Sequence, residues 1–279
     1  MERFYIITNL IKDRDYRITR EIQAYIEQHG KRCILAEEDA DGFILPGTVP
    51  ENIDCGIVLG GDGTLIRAAR ELAEYDFPLI GINLGTLGFL AEVERFAYPN
   101  ALERLFLDQV GFEERMMLTG EVSGSSQYRN TAVNDIVITR DGNLRIVHFD
   151  VYVNGTLLNS YMADGVIIST PTGTTGYNLS AGGPVVEPTA SMFVITPICS
   201  HALNTSSIVL SAEDTIEVVI SQGRYGKDEQ AIVTFDGADM LQLTTGDRVT
   251  IRKSETSTRL VKLSEESFMK TMRKKMKGN

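Results

Sequence analysis

The run Gly60-Gly61-Asp62-Gly63-Thr64 combines three glycines with one carboxylate. Glycine amides approach a ligand closely because no Cβ stands in the way. A glycine turn that opens a helix adds free N–H groups and the positive end of the helix dipole, and phosphate is the natural partner of such a site. Asp62 does not suit simple phosphate cradling. A carboxylate there points to catalysis, a sugar hydroxyl or a metal, with a turn or N-cap aspartate as the plain alternative. A second dense stretch runs from Asp164 to Pro184. It crowds hydroxyls and glycines into a nearly uncharged loop, offering O–H and N–H groups to a polyhydroxylated, phosphorylated ligand such as a dinucleotide. A polar turn with structural Gly and Pro is the alternative there.

These two stretches need elements to hold them. The apolar run Cys55-Gly56-Ile57-Val58-Leu59 reads as a buried parallel strand feeding the first turn, and residues 64–72 read as the helix that follows. Across roughly the first 110 residues, strand and helix signals alternate: strands at 4–8, 32–36, 55–59 and 78–83, helices at 15–29 and 100–109. From about residue 115 the pattern becomes strands and turns, with strands at 146–153, 156–162, 165–169, 192–196, 215–220, 231–235, 248–253 and 259–263. Asn154-Gly155 is a strong hairpin signal. Residues 265–277 return to helix character. The expected fold is an α/β N-terminal domain with an open parallel sheet plus an all-β, sandwich-like second domain, with the C-terminal helix returning to the first. The expected boundaries are 1–114, joined by 264–279, for the phosphoryl-donor and catalytic domain, and 115–263 for the dinucleotide-binding domain. No linker separates the halves, which are expected to pack closely with the ligand between them.

Composition sets the class. The chain has 279 residues, a hydrophobic fraction of 43% and a charged fraction of 23%, as in ordinary soluble globular proteins. No apolar run of about 18 residues occurs, so no membrane span is expected. The N-terminus begins strand-like and lacks a secretory core. Cys33, Cys55 and Cys199 are odd in number and widely spaced, which fits neither a disulfide framework nor a zinc pattern and points to a reducing cytoplasm. The net charge of −11 disfavours nucleic acid and anionic lipid, and requires any nucleotide site to be locally electropositive. The basic cluster Lys270, Arg273, Lys274, Lys275 and Lys277 reads as a solvated helix end.

Four motifs occur in order: Gly60–Thr64, residues 84–90, residues 134–140, and Asp164–Pro184. Together, over roughly residues 57–237, they resemble the NAD kinase family. The first motif is shared with diacylglycerol, sphingosine and phosphofructo-kinases; the hydroxyl–glycine stretch is the specific one. The resemblance implies transfer of the γ-phosphoryl group of ATP, or of polyphosphate, to the 2′-hydroxyl of the adenosine ribose of NAD, giving NADP. It implies that Asp62 activates that hydroxyl and that Gly63 lies against the dinucleotide. Gly60, Gly61, Gly63 and Thr64 would face donor phosphates, with Arg67 reaching a phosphate from the helix, and Asn83 would face the cleft.

Asn134 and Asp135 match the family's Asn-Glu pair, with an acid one methylene shorter. Asp164 aligns with the residue that holds the nicotinamide end. Thr175, Gly176, Tyr177, Asn178, Leu179 and Ser180 align with the segment that wraps the nucleotide; Gly176 stands where alanine is commoner. Tyr177 would stack on a ring, and Thr172, Thr174 and Asn178 would supply hydrogen bonds. Arg145 sits where a basic contact is often found, and His201 falls in the family's His-containing loop. Solvated surface roles are the alternative for Arg67 and Arg145, and a structural role for His201. The cofactor expected is Mg²⁺, or another divalent cation, carried on ATP; protein ligands alone make no metal site, and no tightly bound cofactor is expected. The family implies a homodimer or homotetramer. A lipid or sugar kinase sharing the turn, and a non-catalytic NADP sensor, are the competing readings.

Overall fold

The computed structural model describes residues 1–85, 88–142, 146–202, 206–263 and 268–276. The chain divides into two compact units, Met1–Glu114 with Thr258–Asn279, and Arg115–Ser257.

The first unit is built on a parallel sheet. Its strands lie in the order Arg32–Leu35, Arg3–Thr8, Cys55–Gly60, Leu79–Asn83. Ile57 pairs with Ile6 on one side and Ile80 on the other. Cys55–Gly60 and Leu79–Asn83 are buried along their whole length. That is the burial expected when helices cover both faces of a parallel sheet, and it explains why both strands read as continuous apolar runs. Helix Arg17–Gln28 turns Ile18, Ile22 and Ile26 inward, and helix Tyr98–Phe106 buries Ala101, Leu102 and Leu105. These side chains join Phe4, Ile6, Ile57, Leu59 and Ile82 in one core. The order places a topological switch point between Arg3–Thr8 and Cys55–Gly60. From there the chain's crossovers run outward in opposite directions, which leaves a crevice at the strands' carboxyl ends.

The second unit is a β-sandwich. One antiparallel sheet runs Ile208–Ser211, Met192–Ile198, Gly165–Ser169, Asp135–Arg140, Gln230–Phe235, Ala238–Thr244. The facing strands include Thr156–Ala163, Val147–Val153 and Ile216–Ile220. Val147, Phe149 and Val151 alternate inward and meet Ile138, Ile168 and Phe235 of the other sheet in a single core. Asn154 and Gly155 have φ of 50° and 76°, the paired left-handed turn expected of Asn-Gly between Val147–Val153 and Thr156–Ala163. The central strands of the first sheet are buried on both faces. Val137, Ile167 and Ile198 on the outer face pack with Ala181 of the hydroxyl–glycine segment.

Sequence and structure part in several places. Strands Gly111–Ser123, Tyr128–Ala132, Ile208–Ser211 and Ala238–Thr244 have no counterpart among the expected ones. The expected strands at 248–253 and 259–263 form one strand, Arg248–Lys262. The polar run Ser254-Glu255-Thr256-Ser257 reads as a break, but β-branched and hydroxyl side chains fit an extended strand; Ser254 and Thr256 hydroxyls pair at 3.0 Å on it. The helix after the glycine turn starts at Asp62 rather than Thr64. The C-terminal helix is Phe268–Met276, with the Lys275 ammonium 4.8 Å from the centre of the Phe89 ring in the first unit. The expected start and end of that helix, at 265 and 277, lie outside the described residues.

Candidate active site

The glycine turn follows the fully buried strand Cys55–Gly60 and opens helix Asp62–Glu71. Gly61 is the extended residue before the helix, and its carbonyl accepts the Leu65 N–H at 3.0 Å. Asp62 is the first helical residue. Its carboxylate accepts three backbone N–H bonds from one loop: Phe89 at 2.5 Å, Leu90 at 3.1 Å and Ala91 at 3.0 Å. The loop seats closely because position 88 is glycine; a Cβ there would lie 1.8 Å from Asp62 Oδ1. An ionised carboxylate has about four acceptor sites, so three amides leave about one for a further donor. The side chain is thus held in place with about one acceptor site left for a further hydrogen bond.

The glycines differ in what demands them. At Gly60 a Cβ would lie 2.4 Å from Thr64 Oγ1, so packing within the turn requires glycine. At Gly63, exposed on the first turn, a Cβ would meet nothing within 4 Å. No atom of the described residues requires glycine at position 63, which suits close approach of a ligand instead. Thr64 is buried, and its hydroxyl accepts a bond from Asn9 Nδ2 at 2.9 Å. Asn83, at the carboxyl end of the neighbouring strand, is 3% exposed. Its Oδ1 accepts the Gly85 N–H at 2.9 Å, while its buried Nδ2 has no hydrogen-bond partner among the described residues.

Arg67 does not stand free for phosphate. Its guanidinium lies 3.6 Å from Glu38 and 3.8 Å from Glu71, donates to the Asp41 carbonyl at 3.3 Å and lies over the Phe43 ring. The Glu38 side chain is 6% exposed, and burial above all pushes its carboxyl up to about 7, with the Arg67 charge acting the other way. Helix Asp62–Glu71 sets Arg67 beside this acidic pair, which spacing alone does not reveal.

In the second unit, Asn134 and Asp135 enter strand Asp135–Arg140. The Asp236 carboxylate gathers their main chain, accepting N–H bonds from Val133 at 2.9 Å, Asn134 at 2.7 Å and Asp135 at 3.2 Å. Asp236 has φ of 53° in the turn before Gly237, a backbone region that aspartate tolerates well. The sequence reading missed this residue; an Asp-Gly pair directly after the strand signal at 231–235 was the cue. Asp135 itself is 5% exposed. Burial, and then the Asp236 charge, raise its carboxyl to about 7. Asn134 Oδ1 is buried and has no partner among the described residues.

The hydroxyl–glycine segment is a short 3₁₀ turn, Thr172–Thr175, followed by one helical turn, Tyr177–Ser180. Gly173 lies against the Asn134 main chain; a Cβ there would sit 2.2 Å from the Asn134 carbonyl oxygen. The structure therefore brings Asn134 and this segment together. It also separates two roles within the segment. Thr174 is fully buried: its hydroxyl donates to the Pro171 carbonyl at 2.6 Å and accepts the Val186 N–H at 3.0 Å. Asn178 is fully buried too. Its amide donates to the Thr174 carbonyl at 3.2 Å and the Pro184 carbonyl at 2.9 Å, and its Oδ1 accepts from Thr196 at 2.7 Å. These two residues hold the loop's shape, a correction to the expectation that their side chains face a ligand.

Thr172 is buried and accepts a 3.3 Å bond from Arg115 Nη1. Thr175 and Gly176 are half-buried, and Tyr177, Leu179 and Ser180 are exposed on the loop's surface. Asp164 lies 3.2 Å from Arg140 Nε. His201 is exposed and lines a separate groove of about 610 Å³ with His148, Arg224, Tyr225 and Lys227. Arg145 lies outside the described residues.

Known proteins resemble this chain in sequence and in fold. The profile for the ATP-NAD kinase N-terminal domain matches residues 44–110, and that for the ATP-NAD kinase C-terminal domain matches residues 133–263. An NAD kinase of Agathobacter rectalis is 46% identical, covering 100% of this chain and 99% of the relative. One from Lachnoclostridium phytofermentans is 43% identical, covering 99% of each. Among solved structures, yeast NADH kinase complexed with NADH superposes with a TM-score of 0.84 at 21% identity, covering 100% of this chain and 88% of the other. An NAD kinase from Archaeoglobus fulgidus in complex with ATP gives 0.79 at 24% identity, covering 99% and 98%. Those two likenesses carry the fold, and the full-length relatives carry the kinship: with a glycine turn, its aspartate and the hydroxyl–glycine loop all in place, this chain belongs to the NAD kinase family.

Proposed function

We propose that Asp62 activates the 2′-hydroxyl of the adenosine ribose of NAD for attack on the terminal phosphoryl group of ATP or polyphosphate. The hydroxyl proton passes to the carboxylate as the new O–P bond forms, and the bond to the donor's leaving phosphate oxygen breaks with its electron pair. One observation carries this reading: a carboxylate at the start of a helix, held by three amides, with about one acceptor site left for a donor. Positioning and charge supply most of the catalysis in phosphoryl transfer, and a carboxylate clamped on three sides is a positioned one. Phosphate oxygens meet the helix N-terminus at Gly61, Gly63 and Thr64.

On the dinucleotide side, two features support recognition. The orphaned Asn134 Oδ1 is an acceptor, and the Asp135 carboxyl, held near neutrality, accepts or donates toward a ribose diol. Thr172, Thr175, Gly176, Tyr177, Leu179, Ser180 and Asp164 complete the set as proposed contacts. Mg²⁺ arrives on ATP as part of the substrate, held mainly by phosphate oxygens and water. The three free cysteines suit a reducing compartment such as the cytoplasm.

The test is direct. Pure protein with NAD, ATP and Mg²⁺ is expected to form NADP, read by an NADP-specific dehydrogenase. Asp62→Asn is expected to lower kcat by about 10²–10⁴-fold with NAD affinity largely retained. No NADP from the wild-type protein with any phosphoryl donor would refute the activity, and full turnover by Asp62→Asn would remove Asp62 as the base.

A further inference from the structure

We infer that Lys12 is the cation that binds the donor's terminal phosphate by charge, a step beyond the proposed reaction that rests on that reading. Two loops meet at the switch point of the parallel sheet, the one after Arg3–Thr8 and the glycine turn after Cys55–Gly60. Lys12 lies on the first. Its ammonium reaches over the second: Cβ atoms built at Gly61 and Gly85 would lie 3.0 Å and 3.3 Å from Nζ. These distances place Nζ beside the main chain at both Gly61 and Gly85.

The loop is anchored by its main chain and by neighbours of Lys12. Asn9 Oδ1 accepts the N–H groups of Ile11 at 3.1 Å and Lys12 at 3.2 Å, and Asn9 Nδ2 ties the loop to Thr64 of the glycine-turn helix at 2.9 Å. On the other side Asp13, 5% exposed, accepts the Ile18 N–H at 3.1 Å and the Thr19 N–H at 2.9 Å. Asn9 and Asp13 are therefore positioning residues. The Lys12 side chain has no ion-pair or hydrogen-bond partner among the described residues, in a chain whose net charge is −11. A lone ammonium set over a helix N-terminus places like charges together, and an anion between them relieves the repulsion. Asn83, 3% exposed, holds Gly85 through its Oδ1, which accepts the Gly85 N–H at 2.9 Å, and its buried Nδ2 has no partner among the described residues.

Lysine serves phosphate as a compact point charge. In the transfer it forms no covalent bond: it neutralises charge on the non-bridging oxygens while the O–P bond to ribose forms and the bond to the leaving phosphate breaks. Arg67, committed to Glu38 and Glu71, does not compete for this role.

The experiment compares wild type, Lys12→Met and Lys12→Arg in the full-length protein. Calorimetry with Mg·ATP and, separately, with NAD is run beside NADP formation. Lys12→Met is expected to lower kcat/KM for ATP by about 10²–10³-fold, with Kd for NAD held within about twofold. Lys12→Arg is expected to recover at least about tenfold of that loss, which a purely structural lysine would not show. Wild-type kcat/KM in Lys12→Met, an equal loss in both variants, or a parallel loss of NAD affinity would overturn the inference. If the wild type forms no NADP, the proposed reaction fails, and Lys12 is still judged by Mg·ATP binding: weakened in Lys12→Met it stands as a phosphate site, unchanged it falls.

Discussion

At the scale of single residues, this protein separates carboxylates by what surrounds them. Asp62 is held by three amides, while Asp135 is buried beside a second acid. A carboxyl whose value is raised in the fold stabilises that fold fully below its unfolded value. That contribution is lost as pH rises through the folded value, here about 7 against an ordinary 3.8. The ligand-free wild type is therefore expected to lose melting temperature between about pH 4 and pH 8 relative to Asp135→Asn, which carries no charge at that position. Thermal melts of both proteins across that range check it; parallel curves would show that Asp135 ionises without cost. The residue types announced Asp62 and Asp135 in the sequence, but not their partners. Asp236 went unread because an Asp-Gly turn looks the same whether its carboxylate faces water or collects three backbone amides.

At the scale of elements, the hydroxyl–glycine segment is the clearest case of two functions in one loop. Thr174 and Asn178 close the loop from inside, and Tyr177, Leu179 and Ser180 are turned to its surface. Gly173 is the hinge pin of that arrangement because the Asn134 backbone occupies the space of its side chain. Gly173→Ala meets backbone rather than a flexible side chain, so it is expected to cost about 1–3 kcal/mol and to weaken NAD binding through Asn134. Denaturant unfolding and NAD calorimetry on the variant test both effects; an unchanged midpoint with unchanged affinity would refute the contact. The strands and helices around the site were legible from hydrophobic periodicity. The long strand Arg248–Lys262 was not, because its polar middle lacks the alternation that marks a half-buried strand.

At the scale of the whole molecule, each of the two units has its own apolar core, and no described helix is long and apolar enough to cross a membrane. The homodimer or homotetramer implied by the family is tested by size-exclusion chromatography with light scattering, where a mass of 30.8 kDa would mark a monomer and refute it. The sequence by itself determined the class of fold, since continuous apolar runs demand a parallel sheet covered on both faces and alternating ones a sandwich. It also determined the chemistry on offer: a glycine turn with a carboxylate, and a neutral loop dense in hydroxyls. Only the tertiary structure decided which polar groups are spent inside the protein. Arg67 went to Glu38 and Glu71, and Thr174 and Asn178 to holding their own loop, while Lys12 and Asn83 Nδ2 have no partner among the described residues. The physical reason is that a donor's capacity is the same facing inward or outward, and its direction is settled by packing between segments far apart in the chain.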